Sequence, residues 1–143
     1  MVRNATRDVV LADHPTWAVT AATRTRGLLD HERLDPGEAL VISPCNSVHM
    51  FGMRFALDVL FVDGDGVVVR AIEDLRPGRF TRIHLRAKRA IELPVGTIAA
   101  TGTQPGDRLD LGPIPEGGDG GSMGAWWLLA AAAAGAALVL ASR

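Results

Sequence analysis

The chain has 143 residues, a formal net charge of −1 and a single cysteine. That length holds one compact domain with a sizeable core, and the near-neutral balance excludes bulk attraction to nucleic acid, so any charged contact surface must be local. One cysteine excludes an internal disulfide and leaves cohesion to core packing.

The first residues, "MVRNATRDVVLADHPTW", mix arginine and aspartate with short apolar pieces, and no secretory signal peptide is expected there. "RDVVLA" (7–12) and "TWAVTAA" (16–22) are rich in branched residues and flank "DHP", a pattern that predicts an opening hairpin. "ATRTRGLLDHERL" (22–34) predicts a short helix or turn, with Thr23 or Thr25 as its N-cap and Leu28, Leu29 and Leu34 to bury. "PGEALVIS" (36–43) returns to strand, and the proline-bearing "PCNS" ends it. "HMFGMRFALDVLFVD" (49–63), apolar at almost every second position, predicts one long strand, and the Asp-Gly turn after it predicts a hairpin with "VVVRAIEDL" (67–75). "AIELPVGTIAATG" (90–102) and "GDRLDLGP" (106–113) read as two further short strands. Seven or eight strands with one short helix predict a mainly β domain over residues 1–112, built as a small β-sandwich or barrel.

Chemistry concentrates in three places. Cys45, His49, Met50 and Met53 are soft metal ligands packed into nine positions. In an extended strand His49 and Met53 share a face but Met50 does not, and cores use thioethers freely, so the segment reads as core and no metal or other cofactor is assigned. Asp58 interrupts an apolar run, and a half-buried carboxylate needs partners. Backbone amides of a nearby loop, Arg26 or Arg54 would supply them and make Asp58 a structural anchor. The alternative makes Asp58 a general base, with Glu92 as a second carboxylate, in a pocket near Arg26 and Met50. No nucleophile motif, paired-histidine spacing or phosphate-binding loop supports an enzyme, and a non-catalytic binding module is the preferred reading.

The third place is "RPGRFTRIHLRAKR" (76–89), which holds Arg76, Arg79, Arg82, Arg86, Lys88, Arg89 and His84 with no acid. It suits anionic headgroups or an acidic protein. Nucleic acid is a weaker fit, since Phe80 alone is available for stacking.

Residues 113–124 form a linker rich in glycine and proline, and residues 125–141 carry no charge. As a helix those 17 residues would extend roughly 26 Å, near the thickness of a bilayer's hydrocarbon core. Trp126 and Trp127 stand where an interfacial belt is expected, so the tail reads as a single membrane span. Insertion of the tail after synthesis would leave the domain in the cytoplasm, although Arg143 pulls towards the opposite orientation.

The segment "VHMFGMRFALDVLFVDGDGVVV" (48–69) resembles the bacterial and archaeal family called domain of unknown function 192. "TRGLL" (25–29), "AIELPVGT" (90–97) and "GTQPGDRL" (102–109) are similar to that family's other elements in the same order, so the resemblance covers roughly residues 7–111. Gly27, Leu28, Met50, Leu57, Asp58, Phe61, Asp63, Gly66, Glu92, Leu93, Gly96, Gly106 and Asp107 fit its pattern. His49, Phe51, Gly52 and Ala56 depart from it. The resemblance implies a compact, mainly β domain and no established activity.

Overall fold

The structure is a computed structural model that describes residues 1–115. The predicted span 125–141 lies outside the described residues. Among those described, no helix is long and apolar enough to cross a membrane.

Within residues 1–115, eight strands and two short helices follow one another as β1 (Val2–Asn4), β2 (Val9–Ala12), β3 (His14–Ala18), α1 (Ala21–Arg26), β4 (Glu38–Ile42), β5 (Leu57–Val62), β6 (Val68–Leu75), β7 (Arg89–Leu93), α2 (Thr97–Thr101) and β8 (Leu109–Asp110). They form two sheets and no closed barrel: a five-stranded sheet in the order β3-β4-β7-β5-β6 and a three-stranded sheet in the order β2-β1-β8.

The inner strands "ALVI", "LDVLFV" and "AIEL" have apolar residues on both faces, as a sheet covered on both sides requires. One face carries Leu40, Ile42, Leu57, Val59, Phe61 and Ala90, and packs against Leu28 and Leu34 from the segment after α1 and Cys45, Val48 and Met50 from the loop after β4. The other carries Ala39, Val41, Leu60, Val62, Ile91 and Leu93, and packs against Val2, Leu11 and Leu109 of the small sheet and Ile98 of α2. The sandwich expectation thus describes one face only.

Three expectations need correction. The opening hairpin does not form, because the chain changes sheets at Asp13: β2 pairs with β1, whereas β3 runs parallel to β4. At that crossing Gly37, at φ +88°, lies against the Asp13 carboxylate, and His14 N–H donates to the Gly37 carbonyl at 2.9 Å. The long strand 49–63 begins only at Leu57. Residues 48–56 turn beneath the sheet instead, with Met53 N–H donating to Met50 O at 3.2 Å. Met50 and Phe51, neighbours in the chain, are both buried there, which a loop folded against the core allows and a strand with one solvated face does not. Finally, "PVGTIAAT" contributes α2 and not strand.

The predicted Asp-Gly hairpin is present between β5 and β6. The Asp63 carboxylate accepts from Asp65 N–H (2.9 Å) and Val67 N–H (3.0 Å), and Gly66, at φ +81°, leaves no room for a Cβ beneath Leu109 O. Helix α1 is capped one turn earlier than expected. Thr20 and Thr23 form a reciprocal capping box, and the helix ends at Gly27.

Candidate pocket beneath the first helix

Alternation along the central strands decides where each predicted site residue lies. Asp58 faces the small sheet, opposite Leu93 in register, whereas Glu92 lies opposite Val59 and Leu40 on the face covered by α1. The two carboxylates therefore stand on opposite sides of the sheet, and the alternative in which they act together has no shared pocket.

Asp58 is fully buried and accepts three backbone N–H groups, from Asp74 (3.0 Å), Gly96 (3.1 Å) and Ile98 (2.9 Å). It pins the end of β6, where Asp74 sits at positive φ, to the turn that opens α2. The anchor is a backbone one: neither Arg26 nor Arg54 pairs with it, their partners being Asp30 at 3.3 Å and Glu32 at 3.7 Å. Met50 is a core residue, 1% exposed.

Glu92 is different. It lines a pocket of about 30 Å³ together with Arg24, Arg26, Gly27, Leu28, Leu29, Ile42, Val48, His49 and Met53. Burial pushes its carboxyl up to about 8, so at neutral pH it is a proton-bearing acid. Burial also lowers the His49 imidazole, whose Nδ1 lies 3.3 Å from the Phe51 N–H.

Arg24 is the residue that sequence reading missed. It is 2% exposed, one guanidinium N–H donates to Val19 O at 2.9 Å, and its Nε has no partner among the described residues. None of the ion pairs among the described residues includes it. No local signal separates it from the other arginines of "TRTRG", because α1 ends at Arg26 and Gly27 and the burial of Arg24 depends on how that short helix seats on the sheet.

A second, larger cleft of about 210 Å³ adjoins this pocket and shares Arg26, Gly27 and Leu28 with it. Trp17, Leu34 and Leu40 give it an apolar lining, with Thr16, His31 and Glu38 among its polar groups.

The soft ligands do not converge. His49 and Met53 line the small pocket, but Cys45 is buried in the core, donates its S–H to Ser47 O at 3.1 Å and has its thiol pushed up by burial. Among the described residues no three His, Cys, Asp or Glu side chains come together to hold a metal ion. The basic stretch also divides. Arg76 pairs with Asp74 at 3.3 Å and Arg89 is half-buried in β7, whereas Arg79, Arg82, Arg86 and Lys88 are exposed.

Residues 5–111 match the family DUF192, described as "Uncharacterized ACR". The chain belongs to the DUF192 family. A UPF0127 protein of Thermococcus sibiricus is 32% identical over 114 residues, which span 77% of this chain and 73% of that one. Two crystal structures share the fold. A protein of unknown function from Novosphingobium aromaticivorans is 22% identical with a TM-score of 0.62, over 67% of this chain and 73% of the other. One from Sinorhizobium meliloti, named a "putative transcription regulator", is 25% identical with a TM-score of 0.60, over 67% and 79%. This DUF192 chain thus shares a two-sheet scaffold with proteins whose names carry no common activity.

Proposed function

We propose that this DUF192 domain is a non-catalytic binding module that takes the carboxylate of a small organic acid between Arg24 and Arg26, beneath α1. One observation carries the reading: Arg24 is a buried cation without an anionic partner among the described residues, beside an acid that is uncharged at neutral pH. A buried charge left unpaired is costly, and an anion entering the pocket offsets that cost. The protonated Glu92 does not repel such an anion and can donate a hydrogen bond to it. The larger cleft gives the ligand's apolar body a place beside Trp17, Leu28 and Leu40. Arg26, with an exposed side chain, is the residue through which the ligand would enter.

The tail extends the reading. Residues 125–141 tether the module to a membrane, with the domain on the cytoplasmic side, a placement that protease treatment of intact cells checks.

Thermal melting in the presence of benzoate tests the pocket. Benzoate joins a carboxylate to a flat apolar body of modest size. Saturable stabilisation of the full chain that is lost in Arg26→Ala is the expected result; the exposed Arg26 side chain makes that variant a safe one to fold. Absence of stabilisation at any benzoate concentration would contradict the reading and leave Arg24 and Glu92 as buried core groups.

A further inference from the structure

The loop between β6 and β7 carries two features that the pocket does not use. Its exposed cations Arg79, Arg82, Arg86 and Lys88 are interleaved with exposed apolar side chains: Phe80 is 64% exposed, Ile83 51% and Leu85 86%. Single exposed apolar residues are ordinary. Three within six positions, each flanked by arginine, make an amphipathic surface.

The surface is held in place. Met50 N–H donates to Arg79 O at 2.7 Å, Gly78 N–H to Met50 O at 2.9 Å, Thr81 N–H to Val48 O at 2.8 Å and His84 N–H to Asn46 O at 2.9 Å. Val48 N–H donates in turn to the Thr81 hydroxyl at 3.0 Å, and the Phe80 ring rests 6.1 Å from that of Phe51. Residues 78–84 therefore run along residues 46–50 as a fixed ribbon. A tight turn closed by Ala87 N–H on His84 O (2.9 Å) then carries Leu85 and Arg86 at its tip. An ordered loop loses little conformational freedom on docking.

We propose that this loop docks on an anionic lipid bilayer, with Leu85, Ile83 and Phe80 entering the headgroup boundary and Arg79, Arg82, Arg86 and Lys88 contacting acidic headgroups. Three considerations select a bilayer over a soluble acidic partner. The most exposed apolar side chain sits at the tip of a turn, where it meets a plane first. Each exposed apolar side chain has an exposed arginine next to it in the chain, so apolar insertion and headgroup contact can occur at one surface. The chain beyond the described residues contains the uncharged run 125–141, which would hold the domain within reach of a membrane.

Each basic residue near an anionic surface strengthens binding about fivefold, so the four together supply roughly two to three orders of magnitude. The test is co-sedimentation of the full chain with vesicles of phosphatidylcholine alone or of phosphatidylcholine with phosphatidylserine. The first measures what the tail does by itself, and the difference measures the loop. Binding is expected to rise by at least tenfold with phosphatidylserine, and that increment should vanish at high salt and in Arg79→Glu/Arg82→Glu/Arg86→Glu. Leu85→Ser, a change at an exposed turn tip, should weaken it several-fold without altering the melting temperature. Equal binding to both vesicle types overturns the proposal. So does duplex DNA that binds as tightly as phosphatidylserine vesicles with no effect of Leu85→Ser, which would reassign the loop to a soluble polyanion.

Discussion

Asp58 and Glu92 are two carboxylates on neighbouring strands, and the fold gives them opposite fates. Asp58 accepts three backbone N–H groups, from Asp74, Gly96 and Ile98. Removing a charged acceptor strands its donors, so Asp58→Ala should cost roughly 2–4 kcal/mol, read as a lower denaturation midpoint with an unchanged slope. An unaltered midpoint would show that water replaces the carboxylate. Glu92 has no comparable support, and burial raises its carboxyl from 4.5 to about 8. The sign of its linkage follows: the folded state holds a proton that the unfolded state releases, so the Glu92 contribution is full below about 4.5, declines as pH rises and is lost through about 8. Glu92→Gln should therefore flatten the fall in stability between about pH 4.5 and about 8. A fall of the same depth in the variant would place its origin elsewhere.

Asp107 acts at the scale of elements. Burial raises its carboxyl, but hydrogen bonds from Arg7 Nε (2.6 Å), Asn4 Nδ2 (3.0 Å) and Gln104 N–H (3.1 Å) lower it further, and the net direction is down. The knot ties β1 to the segment before β8. Its stabilisation is present above the ordinary value of 3.8 and is lost as pH falls through the depressed one. With Glu92 failing on the alkaline side, the melting temperature should peak in mild acid. Helix α1 has six residues and depends on its capping box. Thr20→Ala should cost about 1 kcal/mol, and because α1 carries Arg24, it should also weaken benzoate-dependent stabilisation. Intact benzoate affinity with a lowered melting temperature would separate the cap from the pocket.

For the molecule as a whole, what could be read in advance depended on range. Local signals were sufficient for β4, for the hairpin closed by Asp63 and Gly66, and for the need of Asp58 to find backbone partners. The failures came from long-range pairing. Nothing local in "RDVVLADHPTW" says that its halves join different sheets, because that depends on the distant partners β1 and β4 with which they pair. The strand pattern over 49–56 was a loop buried on one side. The pocket was half legible: Arg26 and Glu92 were singled out, whereas Arg24 was hidden as one charge among several in "TRTRG". Both core clusters lie within residues 2–111, so a chain ending at residue 115 should melt at the temperature of the full chain. A large drop would show that the tail packs on the domain.

The proton-bearing Glu92 shares a pocket with Arg24, which has no anionic partner among the described residues, and calorimetric titration of the full chain with benzoate at pH values on either side of 8 tests that pairing directly. Affinity should weaken as pH rises through the Glu92 transition, because the emerging carboxylate repels the bound anion, and Glu92→Gln should bind with no such dependence. Affinity that ignores pH in both proteins, or an absence of binding heat in either, would contradict it.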